Sequence, residues 1–280
     1  MAKKVYLCIT KPKYMSNFQQ EIAPYFNAFL QTTTDAKGDW TVKGFIDIYK
    51  NIYTISVDTK VISKIIELMI FPTLAQFAND YNYEMILSQH QNHYPDLSFR
   101  KDDTLIALDL KSTYRDRVND QRVNGMTLGA FTGYFRNRSS DKNITFPYEK
   151  YNKHFVLGCI YDRVYDIDER RIYNINDLTN ISSVIKNLTF FVQEKWRIAT
   201  DRPGSGNTKN IGSETDVNRL VEGLGLFTRY QNGEQLFNNY WMNYLTQDMA
   251  KALDYDQPPY HNLTTFFAHF SSLTDHELLT

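Results

Sequence analysis

Apolar positions recur along this chain with two different periods, and the periods divide it into helices and strands. Residues 17–31 repeat with a helical period that gathers Phe18, Ile22, Tyr25, Phe26 and Phe29 on one side. Pro24 falls inside that pattern and predicts a kink. Asp58 is placed to cap a helix over 59–70 that ends at Phe71-Pro72. Val61, Ile65 and Leu68, with Ile62, Ile66 and Met69, supply its apolar stripe. A second helix can follow over 72–79. Residues 146–157 read as a helix that passes into a strand over 156–161, and 234–246 as an aromatic-rich helix. Strands are expected at 5–10, as a pair over 40–55, and at 188–192 and 196–199. Interleaved helices and strands predict an α/β or α+β chain around a mixed sheet.

The most informative pattern is the hairpin expected within 91–111, QNHYPDLSFRKDDTLIALDLK. One strand runs over 97–99, a polar turn over 100–104, and a second strand over 105–111. Strand side chains alternate faces. Leu105, Ala107, Asp109 and Lys111 therefore share one face, and Ile106, Leu108 and Leu110 the other. Pro95-Asp96 stands just before the first strand, so two carboxylates and one ammonium can meet at the sheet edge.

Composition changes this picture little. With 280 residues the chain is long enough for a sizeable core. No apolar run is expected to reach the roughly 20 residues that span a bilayer, and the opening MAKKVYLCIT is too short in apolar length for a signal peptide. No membrane association is expected. Cys8 and Cys159 form no metal or redox spacing and read as buried thiols, which makes the cytoplasm the expected compartment. A net charge of −1 does not mark a nucleic-acid binder. Its distribution does more, because residues 111–153 are basic while those from 247 onward are acidic. A phosphate-facing cleft and an ordinary solvated face both fit that asymmetry.

The carboxylate–lysine trio suits phosphodiester chemistry. Mg2+ prefers carboxylates, waters and phosphate oxygens, and it can polarise a phosphoryl group. Asp96 and Asp109 are the natural ligands, and the Leu110 carbonyl can add a third oxygen. Lys111 would sit near the attacked phosphate and stabilise developing charge. Without metal the two carboxylates repel, so one of them should hold its proton more tightly. Glu67, seven residues after Lys60 on one helix face, can turn toward the same cleft, although a solvated glutamate is the plainer reading from pattern alone. Within 200–210, Gly204, Gly206, Asn207 and Thr208 form a polar loop. Its glycines allow close backbone approach, and Asn207 and Thr208 have side chains suited to adenine and thymine edges. By composition alone the loop is equally an ordinary surface segment. The six histidines form no ligand pattern, and no nucleophile elbow is present.

Three stretches then carry a resemblance. They are SVDTKVISKIIELMIFP at 56–72, QNHYPD at 91–96 with IALDLKSTY at 106–114, and GSGNTKNIGS at 204–213 between QEKWRIA and VEGLGLF. In these residues the chain resembles the EcoRV-like type II restriction endonucleases of the PD-(D/E)xK nuclease superfamily. The resemblance implies a restriction-endonuclease-like α/β fold with a central mixed β-sheet flanked by helices. It implies that Asp96 and Asp109 bind metal, that Lys111 is the catalytic lysine, and that Glu67 is a further acidic group. It places Gln91 and Asn92 in a minor-groove loop. It places Gly204, Ser205, Gly206, Asn207 and Thr208, continued by Lys209 and Asn210, in a major-groove recognition loop. A homodimer cutting a palindrome in double-stranded DNA with Mg2+ is expected, GATATC cut bluntly being the best single site. A catalytically inactive DNA-binding protein and a less specific nuclease are the alternatives. The implied division is an extension at 1–14, a catalytic and recognition domain at 15–246, and an acidic tail at 247–280.

Overall fold

The computed structural model describes residues 16–90, 92–165, 171–204 and 209–270. The strand expected at 5–10 and Cys8 lie outside them. Helix α1 (Asn17–Ile22) begins with a capping box between Ser16 and Gln19. Pro24 sits in a single 3-10 turn that joins α1 to α2 (Phe26–Thr33), so the expected kink is present. The strand pair is β1 (Gly44–Ile46) and β2 (Asn51–Thr54). Asp58 caps α3 by accepting from the Lys60 and Val61 N–H groups.

Helix α3 does not stop at Phe71-Pro72. It runs from Thr59 to Asp80 with Pro72 inside it. The missing donor costs about 3 kcal/mol, but Ile62, Ile66, Ile70, Leu74 and Phe77 continue one buried stripe across that point. Burying such side chains contributes about 1.5–3 kcal/mol each, which outweighs the loss. The same continuity makes α3 long and apolar enough to cross a membrane by length and composition, contrary to expectation. In the fold its apolar stripe packs into the core instead.

Four further strands build the centre: β3 (Glu84–Leu87), β4 (Leu97–Lys101), β5 (Thr104–Tyr114) and, after β6 (Thr127–Ala130) in another sheet, β7 (Lys153–Arg163). The β4–β5 hairpin is longer than its sequence suggested. Pairing continues to Lys101↔Thr104, and Asp102 takes a positive φ of 52° in the turn. Residues 153–157 are strand rather than helix. Phe155, Val156, Leu157, Ile160 and Tyr161 are buried on both faces, and a doubly buried strand has no alternation to give it away.

After β8 (Ile172–Asn174), β9 (Ile185–Glu194) completes a five-stranded sheet in the order β3-β4-β5-β7-β9. Its β5–β7 pair is parallel and the others antiparallel, so the sheet is mixed. Residues 195–197 form a 3-10 turn, not a strand. Then β10 (Ala199–Pro203) and β11 (Asn210–Ser213) pair with β6 in a second sheet. Much of the segment read as a loop is thus a hairpin. A third sheet is β1-β2-β8. The chain continues through α4 (Val217–Glu222), α5 (Gly233–Asn243), α6 (Gln247–Lys251) and α7 (Leu263–Phe270).

Two cores flank the central sheet. Helices α1–α3 cover the face of Ile106 and Leu108. The opposite face, with Leu105 and Ala107, packs with residues of β6, β11 and α5. Tyr260, Leu263 and Phe266 are buried in this second core, although they lie in the segment set apart by charge. Gly158 pairs in register with Lys111, and a Cβ there would come within 2.1 Å of the Phe191 ring. The absent side chain lets that ring lie over the strand beside the lysine. Cys159 is a free, buried thiol, and burial pushes its pKa up.

Candidate active site

The alternation of β5 places Asp109 and Lys111 on one face, with Leu110 turned to the other. Asp96 immediately precedes β4 and reaches across the hairpin: its Oδ2 accepts a hydrogen bond from the Leu110 N–H at 2.6 Å. Lys111 Nζ stands 2.8 Å from Asp109 Oδ2. Asp96, Asp109, Leu110 and Lys111 are therefore together, as the hairpin pattern predicts. Asp109 is only 4% exposed, and its Oδ2 receives no hydrogen bond of acceptable geometry despite the ion-pair distance. A buried carboxylate oxygen without a hydrogen bond is costly in a finished structure.

Electrostatics separate the two acids. Burial pushes the Asp96 carboxyl well above its ordinary value, and the neighbouring Asp109 charge adds to the rise. Burial also opposes ionisation of Asp109, but the Lys111 and Lys195 ammoniums outweigh it and hold Asp109 below the usual carboxylate range. Lys111 is disfavoured by burial yet kept protonated by Asp109 and Asp96, with a smaller contribution from Glu67. Of the pair, Asp96 is the acid that binds a proton more readily, through burial first and the Asp109 charge second.

Glu67 approaches from α3. It lines a small cavity with Ser63, Leu110, Lys111 and Ser112, and its Oε1 pairs with Lys64 Nζ at 2.7 Å. The Ser63 and Ser112 hydroxyls meet at 2.5 Å and fix the helix against β5. Among the described residues no three of histidine, cysteine, aspartate and glutamate converge on one point. Protein oxygens available to a divalent cation are accordingly those of Asp96 and Asp109, with the Leu110 carbonyl nearby in sequence and Glu67 across the cavity. Hard oxygens in this number, completed by water or phosphate, suit Mg2+ better than a softer ion.

The expected reading residues are only partly described. Gln91, Ser205, Gly206, Asn207 and Thr208 lie outside the described residues. Asn92 is exposed beside the His90–His93 ring contact. Gly204 N–H donates to the Asn210 carbonyl at 3.0 Å and closes the base of the β10–β11 hairpin. A Cβ on Gly204 would lie 2.9 Å from Thr127, so the hairpin packs tightly on β6. The Lys209 carbonyl accepts from the Phe131 N–H at 3.0 Å. The residues on either side of the undescribed segment, Gly204 and Lys209, are thereby tied to β11, β6 and Phe131.

Lys195 falls within QEKWRIA, where sequence alone assigns it no role. It is 1% exposed, and its Nζ lies 4.1 Å over the Tyr94 ring. Burial pushes its amine down to about 7, against the pull of Asp109. The signal available beforehand was a lysine between Glu194 and Trp196 just after an apolar strand run, which reads equally as a strand end.

Comparison with known proteins identifies the family. A sequence model described as Restriction endonuclease EcoRV matches residues 36–271. The Type II restriction enzyme EcoRV of Escherichia coli is 38% identical over 215 residues, covering 75% of this chain and 84% of that protein. Among solved structures, NlaIV restriction endonuclease aligns over 89% of this chain and 94% of its own, at 12% identity and a TM-score of 0.39. That last likeness is too loose to bear on the site. The family match and the 38% identity are not: the chain belongs to the EcoRV family of type II restriction endonucleases.

Proposed function

We propose that this enzyme is a homodimer that cuts both strands of a short palindrome with Mg2+, leaving blunt ends, and that GATATC is its site. The observation that carries the reading is the buried meeting of Asp96, Asp109 and Lys111, with Asp109 Oδ2 lacking a hydrogen bond. Asp96, Asp109 and the Leu110 carbonyl would hold the divalent cation, with Glu67 as an additional acidic group. Bound there, such an ion supplies Lewis-acid polarisation of the phosphodiester. Lys111, one quarter exposed at its side chain, presents its ammonium where charge develops on the phosphate oxygens. Asp109 orients that ammonium through their ion pair. Asp96, braced by the Leu110 N–H, keeps the two strands of the hairpin in step.

Recognition would fall to the segment that joins β10 to β11, whose sequence is Gly204, Ser205, Gly206, Asn207, Thr208, Lys209 and Asn210. Gln91 and Asn92 would enter from the minor groove. The GSGNT sequence is what favours GATATC, since Asn and Thr suit adenine and thymine edges. A two-fold dimer supports reading a palindrome. Phe45, Tyr53 and Ile172 pair across the β1-β2-β8 sheet and are exposed on one face, an apolar surface that a second copy could cover. Action in the cytoplasm belongs to the same reading. Digesting plasmid DNA with the purified protein in Mg2+ and sequencing the ends tests it. Blunt ends at GATATC are expected, whereas ends at another sequence or none would refute the assigned specificity.

A further inference from the structure

A cavity of about 220 Å3 lies between the start of β7, the turn after β9 and α5. Asp96, Asp109, Leu110 and Lys111 do not line it. Two cationic side chains do: Arg138, from the connection between β6 and β7, and Lys195, from the turn. Each has a buried nitrogen, Arg138 Nε and Lys195 Nζ, without a hydrogen-bond partner among the described residues. Lys195 is 1% exposed. The Tyr148 ring belongs to the same wall, with Arg138 Cζ 5.2 Å and Lys195 Nζ 5.8 Å from its centre. Lys195 Nζ also stands 4.1 Å from the centre of the Tyr94 ring. Aromatic faces attract a cation but do not neutralise it.

The acceptors around this cavity are engaged elsewhere. Asn238 Oδ1 accepts from Arg138 Nη2 at 2.9 Å, and Asn152 Oδ1 from the Leu105 N–H at 2.7 Å. Glu234 pairs with Lys153 Nζ at 2.8 Å. His154 Nδ1 meets the Tyr94 hydroxyl at 2.9 Å, and the Tyr151 hydroxyl meets that of Ser98 at 2.8 Å. Glu149, the other acid of the lining, is exposed, where water and salt screen its charge. Guanidinium and ammonium groups only donate, and a buried charged donor left unanswered is costly. The cavity therefore offers donors in want of negatively charged acceptors. A water occupies about 30 Å3, so the space admits a tetrahedral oxyanion with several waters around it.

We propose that this cavity binds a small free oxyanion of the phosphate or sulfate class, held by Arg138 and Lys195. Several acceptor oxygens on one ion can answer two donors that come from different elements, which a single-atom anion serves less well. Arg138 is already tied to α5 through Asn238, so the bound ion would join α5 and the β6–β7 connection to the turn after β9. Nothing in this assignment depends on which residues cut DNA.

The test is calorimetric titration of inorganic phosphate into the full-length, metal-free protein in mildly acidic buffer. Wild type, Arg138→Met, Lys195→Met and Lys111→Ala are compared, with circular dichroism confirming the fold. Wild type should bind one ion per chain saturably, and Lys111→Ala should do the same. Arg138→Met and Lys195→Met should each weaken binding about tenfold or more, since each removes a charged donor. If Lys195→Met does not fold, Arg138→Met carries the comparison. Saturating the protein with a DNA duplex should leave phosphate binding unchanged. Absence of saturable binding in wild type, or unchanged binding in either folded cavity variant, overturns the proposal. Loss of binding in Lys111→Ala overturns it by placing the ion at the cutting site, and displacement by the duplex overturns it by making the ligand a phosphate of the DNA backbone.

Discussion

Two places on the central sheet hold two carboxylates and a lysine, and they are chemically opposite. At one, Lys153 Nζ bridges Glu194 and Glu234 at 3.0 and 2.8 Å. Glu194 also accepts from the Trp196 indole at 2.7 Å. Every charge there is answered, and the Lys153 and Glu234 side chains are more than one third exposed. At the other, Asp96, Asp109 and Lys111 are drawn inward, and Asp109 Oδ2 has an ion-pair neighbour but no hydrogen bond. The same residue types therefore make a satisfied surface cluster in one case and an unfinished buried one in the other. Reactivity follows from desolvation and from what is left unpaired, not from composition.

The contrast can be broken by substitution. Lys111→Ala should lower single-turnover cleavage by about a thousandfold or more, because it removes an ammonium placed at the developing charge. The matching surface change, Lys153→Met, should leave cleavage within about twofold. Asp96→Asn sharpens the comparison in another way. Its carboxyl binds its proton more tightly in the fold than in the unfolded chain. That stabilising preference is complete below the ordinary carboxylate range and is lost as pH rises toward neutrality. Above neutral pH, the metal-free Asp96→Asn protein should therefore be more stable than wild type, by about 1–3 kcal/mol in urea denaturation, while cutting is lost. Glu67→Gln should slow cleavage about tenfold, less than either residue of β5, since Glu67 stands across the cavity and is already paired with Lys64. The smallest effect should be that of Glu234→Gln, at most about 1 kcal/mol of stability and no measurable change in cleavage, because a half-exposed ion pair is worth little.

Sequence alone revealed the hairpin because it has a solvated turn and a strict alternation around Asp109. It revealed the cap at Asp58 and the stripe of α3 for similar reasons. It failed where tertiary burial overrides local signals. Pro72 reads as a stop, yet the stripe from Ile62 to Phe77 holds the helix through it. Residues 153–157 read as helix because a strand buried on both faces loses its period. Lys195 could not be distinguished from an ordinary strand-end lysine, since its cage is assembled from Tyr94, Tyr134 and Tyr148, all far away in sequence. The acid pair was legible because both members belong to one hairpin.

The most direct test of the account is single-turnover cleavage of a duplex containing GATATC by Asp109→Ala in Mg2+, with binding of the same duplex measured without metal. Retained binding with cleavage slowed by about a thousandfold or more is the predicted result. Cleavage at the wild-type rate would contradict it, because the buried carboxylate at the centre of the site would then take no part in the cut.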